Sequence, residues 1–298
     1  MVKVLPACKR YLWGGEKLRE QFHIPSDLMP LAEAWVLSAH PDGECTANGV
    51  PFSQYLQTVA CGTKASRFAD FPVLIKLIDA KQDLSVQVHP DDAYARKHEN
   101  DNGKTEMWYV LSAEPNASLY YGFSREVTEQ EVRERIENGT LTAVLNRVPA
   151  KAGDVFFIEA GTVHAIGAGL VICEIQQNSN TTYRLYDYDR RDQDGNRRPL
   201  HVEKALAVSR FAPTPHKGGD GDTLAVCPYF RVRRVQGAAH IQMTADSFHA
   251  VTAVAGTGTL TADGETVSFT QGDCFFIPAG EKTYTLSGDA TVVVTDIP

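Results

Sequence analysis

The sequence predicts a mainly β protein built from two copies of one β unit, a sandwich or barrel, with a few helices inserted in or flanking the first copy. Three observations carry this. Short strand-like runs bounded by Gly, Asp and Pro recur along most of the 298 residues. The pattern G-D-x-F-F-I-x-A-G occurs twice, from Gly153 and from Gly272, an offset of 119. Upstream, MWYVLSAEPNASLYYG lies over HAVTAVAGTGTLTADG with Gly122 on Gly264, an offset of 142. The 23-residue difference matches a helical insertion at about 125–147 in the first copy. The division expected is 1–215 for the first domain and 223–298 for the second.

Taken in order, residues 1–22 mix a short strand-like start with Trp13-Gly14-Gly15 and the charged stretch EKLREQF. LAEAWVLSAHPDG (31–43) reads as a strand ending in a turn. VPFSQYLQTVACG (50–62) places Phe52, Tyr55, Leu56 and Val59 at helical spacing. FPVLIKLIDA (71–80) is a strand, and its single Lys76 is expected on an exposed face, with a place in a site as the lesser alternative. Two more β-runs, LSVQVHP and EMWYVL, flank a polar, turn-rich stretch. The inserted helix opens with a Thr128-x-x-Glu131 capping box. Its apolar positions are Val132 and Ile136, followed by Leu141, Val144 and Leu145, and Asn138-Gly139 ends its first segment. β character returns in DVFFIEAGTVHAIG and in LVICEIQQ, where Glu174 and Gln176 share a face. RRDQDGNRRP is expected as a solvated loop, HVEKALAVSRF as a short helix and PTPHKGGDGD (213–222) as a linker.

Composition narrows the function classes. The charge is −8, from 29 Lys and Arg against 37 Asp and Glu, so neither nucleic acid nor a membrane surface is indicated as a partner. No protein partner is indicated either. An anionic small molecule would have to meet a local cluster of Lys and Arg. The six cysteines form no C-x-x-C pair, which points to a reduced, cytoplasmic protein. No run of about 20 apolar residues or signal-peptide pattern is present, so neither a membrane helix nor a leader is expected.

The chemistry-bearing residues gather around 84–110. Alternate side chains of a strand share a face, so Ser85, Gln87 and His89 point one way, and Lys104 and Glu106 point together. His164 arrives through an AGT turn. An amide oxygen, two imidazoles and a carboxylate make a four-ligand set for a divalent metal, zinc first. The repeat lays Glu106 on Phe248 and His164 on Thr283, so the second copy is expected to keep the fold and lose the ligands. Glu174 lies in an apolar run, where a lone charge is costly, and needs a ligand, a salt bridge or a catalytic task. Arg184 has Asp187 and Asp189 as candidate partners. His23, His40, His98, His201, His216, His240 and His249 show no constellation.

The motif G-D-x-x-x-x-x-A-G-x-x-H resembles the second motif of the cupins, metal-binding β-barrel proteins. SVQVHPDD, GKTEMWYV, GTVHAIG and QQNSNTTYRLYDYDR, with the early WGG and AEAWVLSAHP, resemble the type I mannose-6-phosphate isomerases in their short bacterial form. The likeness runs from about residue 10 to 200 in strong motifs and more loosely to the end. It implies two cupin-type β-barrels, or jelly rolls, a catalytic one followed by a degenerate one. It implies one Zn2+ per chain on Gln87, His89, Glu106 and His164, with water as the alternative to Gln87. Arg184 would be the essential active-site cation, with Lys104 and Glu174 near the sugar, and Ser85, Lys104 and Arg184 would bind substrate. Unlike the longer members, this chain lacks a large helical domain.

The implied reaction interconverts mannose 6-phosphate and fructose 6-phosphate through an enediolate, whose negative oxygens a dication steadies. Glu174 is the expected base, with metal-bound hydroxide as its rival. Lys104 would shuttle an oxygen proton or meet the phosphate. Two other classes stay open: a cupin oxygenase using iron or manganese, and a non-catalytic sugar-phosphate-binding protein.

Overall fold

Three antiparallel sheets, stacked in layers, place every polar residue of interest between two of them. The computed structural model describes the chain except residues 192–194, 216–217 and 220. His216, part of the 190–199 loop and part of the 213–222 linker therefore lie outside the described residues.

A six-stranded sheet runs in the order Val155–Ile158, Glu106–Ala113, Leu170–Gln177, Val73–Ala80, Glu33–Leu37, Ala7–Lys9. A five-stranded sheet runs Leu145–Pro149, Ser118–Phe123, His164–Ala165, Val86–Val88, Tyr183–Tyr186. The third, ten-stranded sheet holds the strands from Thr223 to Asp296 together with Val2–Leu5, Thr46–Ala47 and Val50–Pro51. Val2–Leu5 pairs on one side with Cys274–Ile277 and on the other with Thr46–Ala47. The molecule is mainly β, as expected, but none of the three strand orders closes on itself, so the two closed barrels are not what the pairing shows.

The six-stranded sheet is covered on both faces. Val73–Ala80 and Leu170–Gln177 are buried at every position, which is why both read as near-continuous apolar runs. Val73, Ile75, Leu77, Val171, Cys173 and Ile175 share one core with Phe276 and Val293 of the ten-stranded sheet and with Phe248, which precedes its strand His249–Ala262. The opposite face sends Ile78, Trp108, Val110 and Ile172 against Leu119, Tyr121 and Ile166 around the five-stranded sheet. Strand alternation then puts Lys76, Glu106 and Glu174 on that second face. The expectation of an exposed Lys76 is overturned for this reason: its strand has no exposed face, and Lys76 is 5% accessible.

The outer face of the five-stranded sheet is covered by the insertion and by the helix Val202–Val208. Thr128 caps the helix Glu129–Glu137 by accepting the Glu131 amide at 3.1 Å. The Glu131 carboxylate does not reach back to close the capping box and takes Arg125 and Arg135 instead. Val132 and Ile136 pack onto Leu141 and Val144. No helix among the described residues is long and apolar enough to cross a membrane.

The register corrects the internal repeat. Ile158 pairs with Glu106 and Val155 with Tyr109; Ile277 pairs with His249 and Cys274 with Thr252. Glu106 therefore corresponds to His249, at an offset of 143, and not to Phe248. The first copy has one more residue between this strand and Gly122 than the second has before Gly264, and a one-residue slip turns every side chain to the other face.

Candidate active site

Arg184, Gln87 and His164 stand side by side in register across three neighbouring strands of the five-stranded sheet. Facing them from the six-stranded sheet are Lys76, Glu106 and Glu174. His89 follows the end of Val86–Val88, and Lys104 precedes Glu106 by two residues.

His89, Glu106 and His164 are 0–1% exposed, and their ligand atoms all lie within 4.8 Å of one another. His89 Nε2 is 3.4 Å from one Glu106 oxygen and His164 Nε2 is 3.4 Å from the other. A tetrahedral zinc site with bonds of about 2.1 Å has edges of about 3.4 Å, so these separations are those of a coordination shell. Both imidazoles donate from Nδ1 to a backbone carbonyl, His89 to Thr181 at 2.9 Å and His164 to Thr162 at 2.8 Å. That fixes each ring with its Nε2 lone pair toward the cluster. Glu106 Oε1 is buried with no hydrogen-bond partner, an orphan that a cation would satisfy. Gln87 Nε2 lies 3.5 Å from His164 Nε2, and a half-turn of the amide presents its oxygen there instead. These residues fit a dication with N, N, O donors and a fourth position for Gln87 or water.

Lys104 Nζ lies 2.9 Å from His89 Nε2 and also donates to Glu106. Glu174 accepts from Trp108 Nε1 at 3.0 Å, pairs with Lys76 at 3.2 Å and lies 3.9 Å from Lys104. Burial opposes its ionisation, but Lys104 and Lys76 outweigh burial and hold Glu174 down at about 2. Glu106 is pushed up to about 7 by burial and by the charge of Glu174, against the pull of Lys104. Burial and Lys104 together bring His164 down to about 3, and they hold His89 well below its ordinary value. The imidazoles are thus neutral at pH 7, the form a metal requires.

A cavity of about 270 Å³ opens beside this cluster. Ser85, Gln87, Lys104, Glu174 and Arg184 all line it, together with Lys76. Arg184 does not pair with Asp187 or Asp189. Its Nε donates to Ser85 Oγ at 3.3 Å and its Nη1 to the Pro199 carbonyl at 2.8 Å. Asp187 takes Arg190 and Arg198, and Asp189 takes Arg197. Burial, then Arg198, lower the Arg184 pKa without threatening its charge.

One residue, Arg198, escaped the sequence reading, and another, Lys76, was given a place in a site only as the lesser alternative. Lys76 was legible as a lone charge in a strand apolar at both parities. Arg198, in a run expected to be solvated, folds back to line the cavity. His249, which showed no constellation in sequence, has one in space: it meets the Tyr284 hydroxyl at 3.0 Å and Asp296 at 3.6 Å, and Asp296 also holds Arg231 and Arg233.

Residues 1–120 match the family model described as phosphomannose isomerase type I, catalytic domain, and residues 221–297 match that described as mannose-6-phosphate isomerase, cupin domain. The chain is 37% identical to a mannose-6-phosphate isomerase of Streptococcus mutans over 95% of this chain and 94% of that one. It is 36% identical to mannose-6-phosphate isomerase ManA of Bacillus subtilis, over 98% and 97%. The crystal structure of the mannose 6-phosphate isomerase from Bacillus subtilis superposes with a TM-score of 0.91 at 32% identity, covering 99% of this chain and 98% of that one. A mannose 6-phosphate isomerase bound with zinc and yttrium shares the fold, with a TM-score of 0.77 at 19% identity over 99% and 98%.

Proposed function

The chain belongs to the mannose-6-phosphate isomerases, aldose–ketose isomerases by class, and from that premise we propose that it interconverts mannose 6-phosphate and fructose 6-phosphate at one zinc site held by His89, Glu106 and His164. The observation that carries the metal is the pair of 3.4 Å carboxylate–imidazole separations around a buried, unpartnered Glu106 oxygen. Gln87 or water completes the shell.

When bound, the ion supplies positive charge that steadies the two oxygens of the enediolate. Every other task falls to the chain. Glu33 and Glu174 are the carboxylates that line the cavity; Glu174 is ionised and lies beside Lys104, so it is assigned the proton at carbon. Its low pKa comes from Lys104 and Lys76, so a substrate that draws Lys104 toward its own oxygen also makes Glu174 a stronger base. Lys104, which lies between the ligand cluster and Glu174, is assigned the proton passed between the substrate oxygens. Arg184 keeps its charge throughout and faces the cavity across from Glu174, where it meets developing negative charge or the phosphate. Ser85 holds the Arg184 guanidinium against the cavity wall.

The test is a coupled isomerase assay on mannose 6-phosphate with metal-stripped and zinc-loaded protein. Turnover is expected only with the ion restored. Two imidazoles and one carboxylate also suit non-haem iron, so metal analysis with oxygen-uptake measurement is part of the same experiment. Oxygen consumption, or no exchange of the C2 hydrogen, would sink the isomerase reading.

A further inference from the structure

We propose that Arg198 is the residue that reads the phosphate, forming with Arg184 a two-guanidinium clamp at the cavity rim. This rests on the sugar-phosphate reading above and names its specificity determinant.

Charge is distributed unevenly around the cavity. Inside, Lys76 and Lys104 stand against three carboxyl groups, those of Glu33, Glu106 and Glu174. At the rim, Arg184 and Arg198 line the cavity; Asp187 pairs with Arg198 and with Arg190 behind it, so one carboxylate stands near three arginines. With a dication the interior would carry about one net positive charge against about two at the rim, so the larger share of unspent positive charge lies at the rim. A phosphomonoester carries about two negative charges at pH 7. It offsets the rim and has no comparable partner inside. The sugar then enters carbon-first, toward Lys104 and Glu174.

Each guanidinium keeps a donor that has no partner among the described residues. Asp187 is 6% exposed and takes Arg198 sideways, through Nε at 2.7 Å and Nη2 at 2.5 Å. That grip leaves Nη1 of Arg198 with no partner among the described residues while its side chain lines the cavity. Arg184 uses Nε and Nη1 on Ser85 and Pro199, which leaves its Nη2 unclaimed among the described residues. Asp187 thus holds Arg198 beside Arg184 against their mutual repulsion. Two planar guanidinium groups with uncommitted N–H donors suit phosphate oxygens better than lysines would.

The test is Arg198→Ala with Arg198→Lys, assayed on mannose 6-phosphate and mannose, with inorganic phosphate as the binding probe. For Arg198→Ala, KM for mannose 6-phosphate is expected to rise roughly tenfold to a hundredfold, as for loss of a charge-assisted bond. The fall in kcat should be smaller than the rise in KM. Phosphate affinity and the selectivity for mannose 6-phosphate over mannose should fall by a similar factor. Arg198→Lys should lie between, because lysine keeps the charge and loses the fork. Unchanged KM and phosphate affinity in both variants would overturn the proposal, as would a collapse of kcat with phosphate affinity intact. If Arg198→Ala fails to fold by circular dichroism, the same criteria apply to Arg198→Lys. If the wild type does not turn over mannose 6-phosphate, the isomerase reading fails. Phosphate binding then still decides for or against the clamp: loss in the variants supports it, and no binding to the wild type overturns it.

Discussion

In the front unit a buried carboxylate, Glu106, faces two imidazoles; at the corresponding place in the rear unit a buried imidazole, His249, faces a tyrosine hydroxyl and a carboxylate. The strands align, yet the two polar interiors solve different electrostatic problems. Around Glu106 the donors are lone pairs aimed at a common point, and one carboxylate oxygen is left over. Around His249 the cations are covalently part of the chain: Arg231 holds Asp296 through two bonds of 2.9 Å, and Arg233 through one of 3.0 Å. The rear unit thus meets its buried carboxylate with arginines of the chain, whereas the front unit pairs one Glu106 oxygen with Lys104 and leaves the other without a hydrogen-bond partner. A buried set of acceptors needs positive charge from somewhere, and its source decides whether the site can exchange ligands.

The sharpest way to break this comparison is to remove a ligand from each unit. His164→Ala should lose its metal and show no turnover above background, with its circular dichroism unchanged. His249→Gln should retain one ion per chain by mass spectrometry of the metal. Loss of the ion from His249→Gln would mean that the units are not distinct in this way. Next, Arg184→Ala should keep the metal and lose about one to two orders of magnitude in kcat/KM, the scale of a charge-assisted bond to the phosphate. Full activity in that variant would remove Arg184 from the chemistry.

A third prediction concerns the rear unit alone. Burial lowers the His249 pKa to about 4, against a raising effect of Asp296 that Arg233 and Arg231 weaken. Its neutral form is the one that the fold favours, so its stabilising share is present above about pH 6.5 and is lost as the pH falls toward 4. That share is roughly 3 kcal/mol. Urea midpoints measured from pH 7 to 4 should fall less steeply in His249→Gln than in the wild type. Equal slopes would mean that His249 titrates as it does in the unfolded chain. The smallest effect tests the insertion that the rear unit lacks: Thr128→Ala should cost about 1 kcal/mol by urea melt and leave kcat unaltered.

Much of the site was legible because strands alternate. Gln87, His89, Glu106 and His164 could be placed together from parity and a turn, and the capping Thr128 from its spacing. The misplacements have physical causes. Lys76 was put on a face its strand does not have, since local sequence does not say whether a second sheet covers it. The repeat slipped by one residue because hairpin length, and not composition, sets register. Arg198 was missed because the return path of a charged loop depends on a distant partner, Asp187. Barrel closure likewise depends on which strands lie at the edges, and no single run reports it.

The pairing of Val2–Leu5 with Cys274–Ile277 has a consequence for biosynthesis. Val2–Leu5 can pair early with Thr46–Ala47, but its other edge must wait until the whole intervening chain has been made, so the ten-stranded sheet is sealed late. A nick in the 213–222 stretch would therefore yield two fragments with matching raw edges, each prone to stick to the wrong neighbour, yet able to reassemble when mixed.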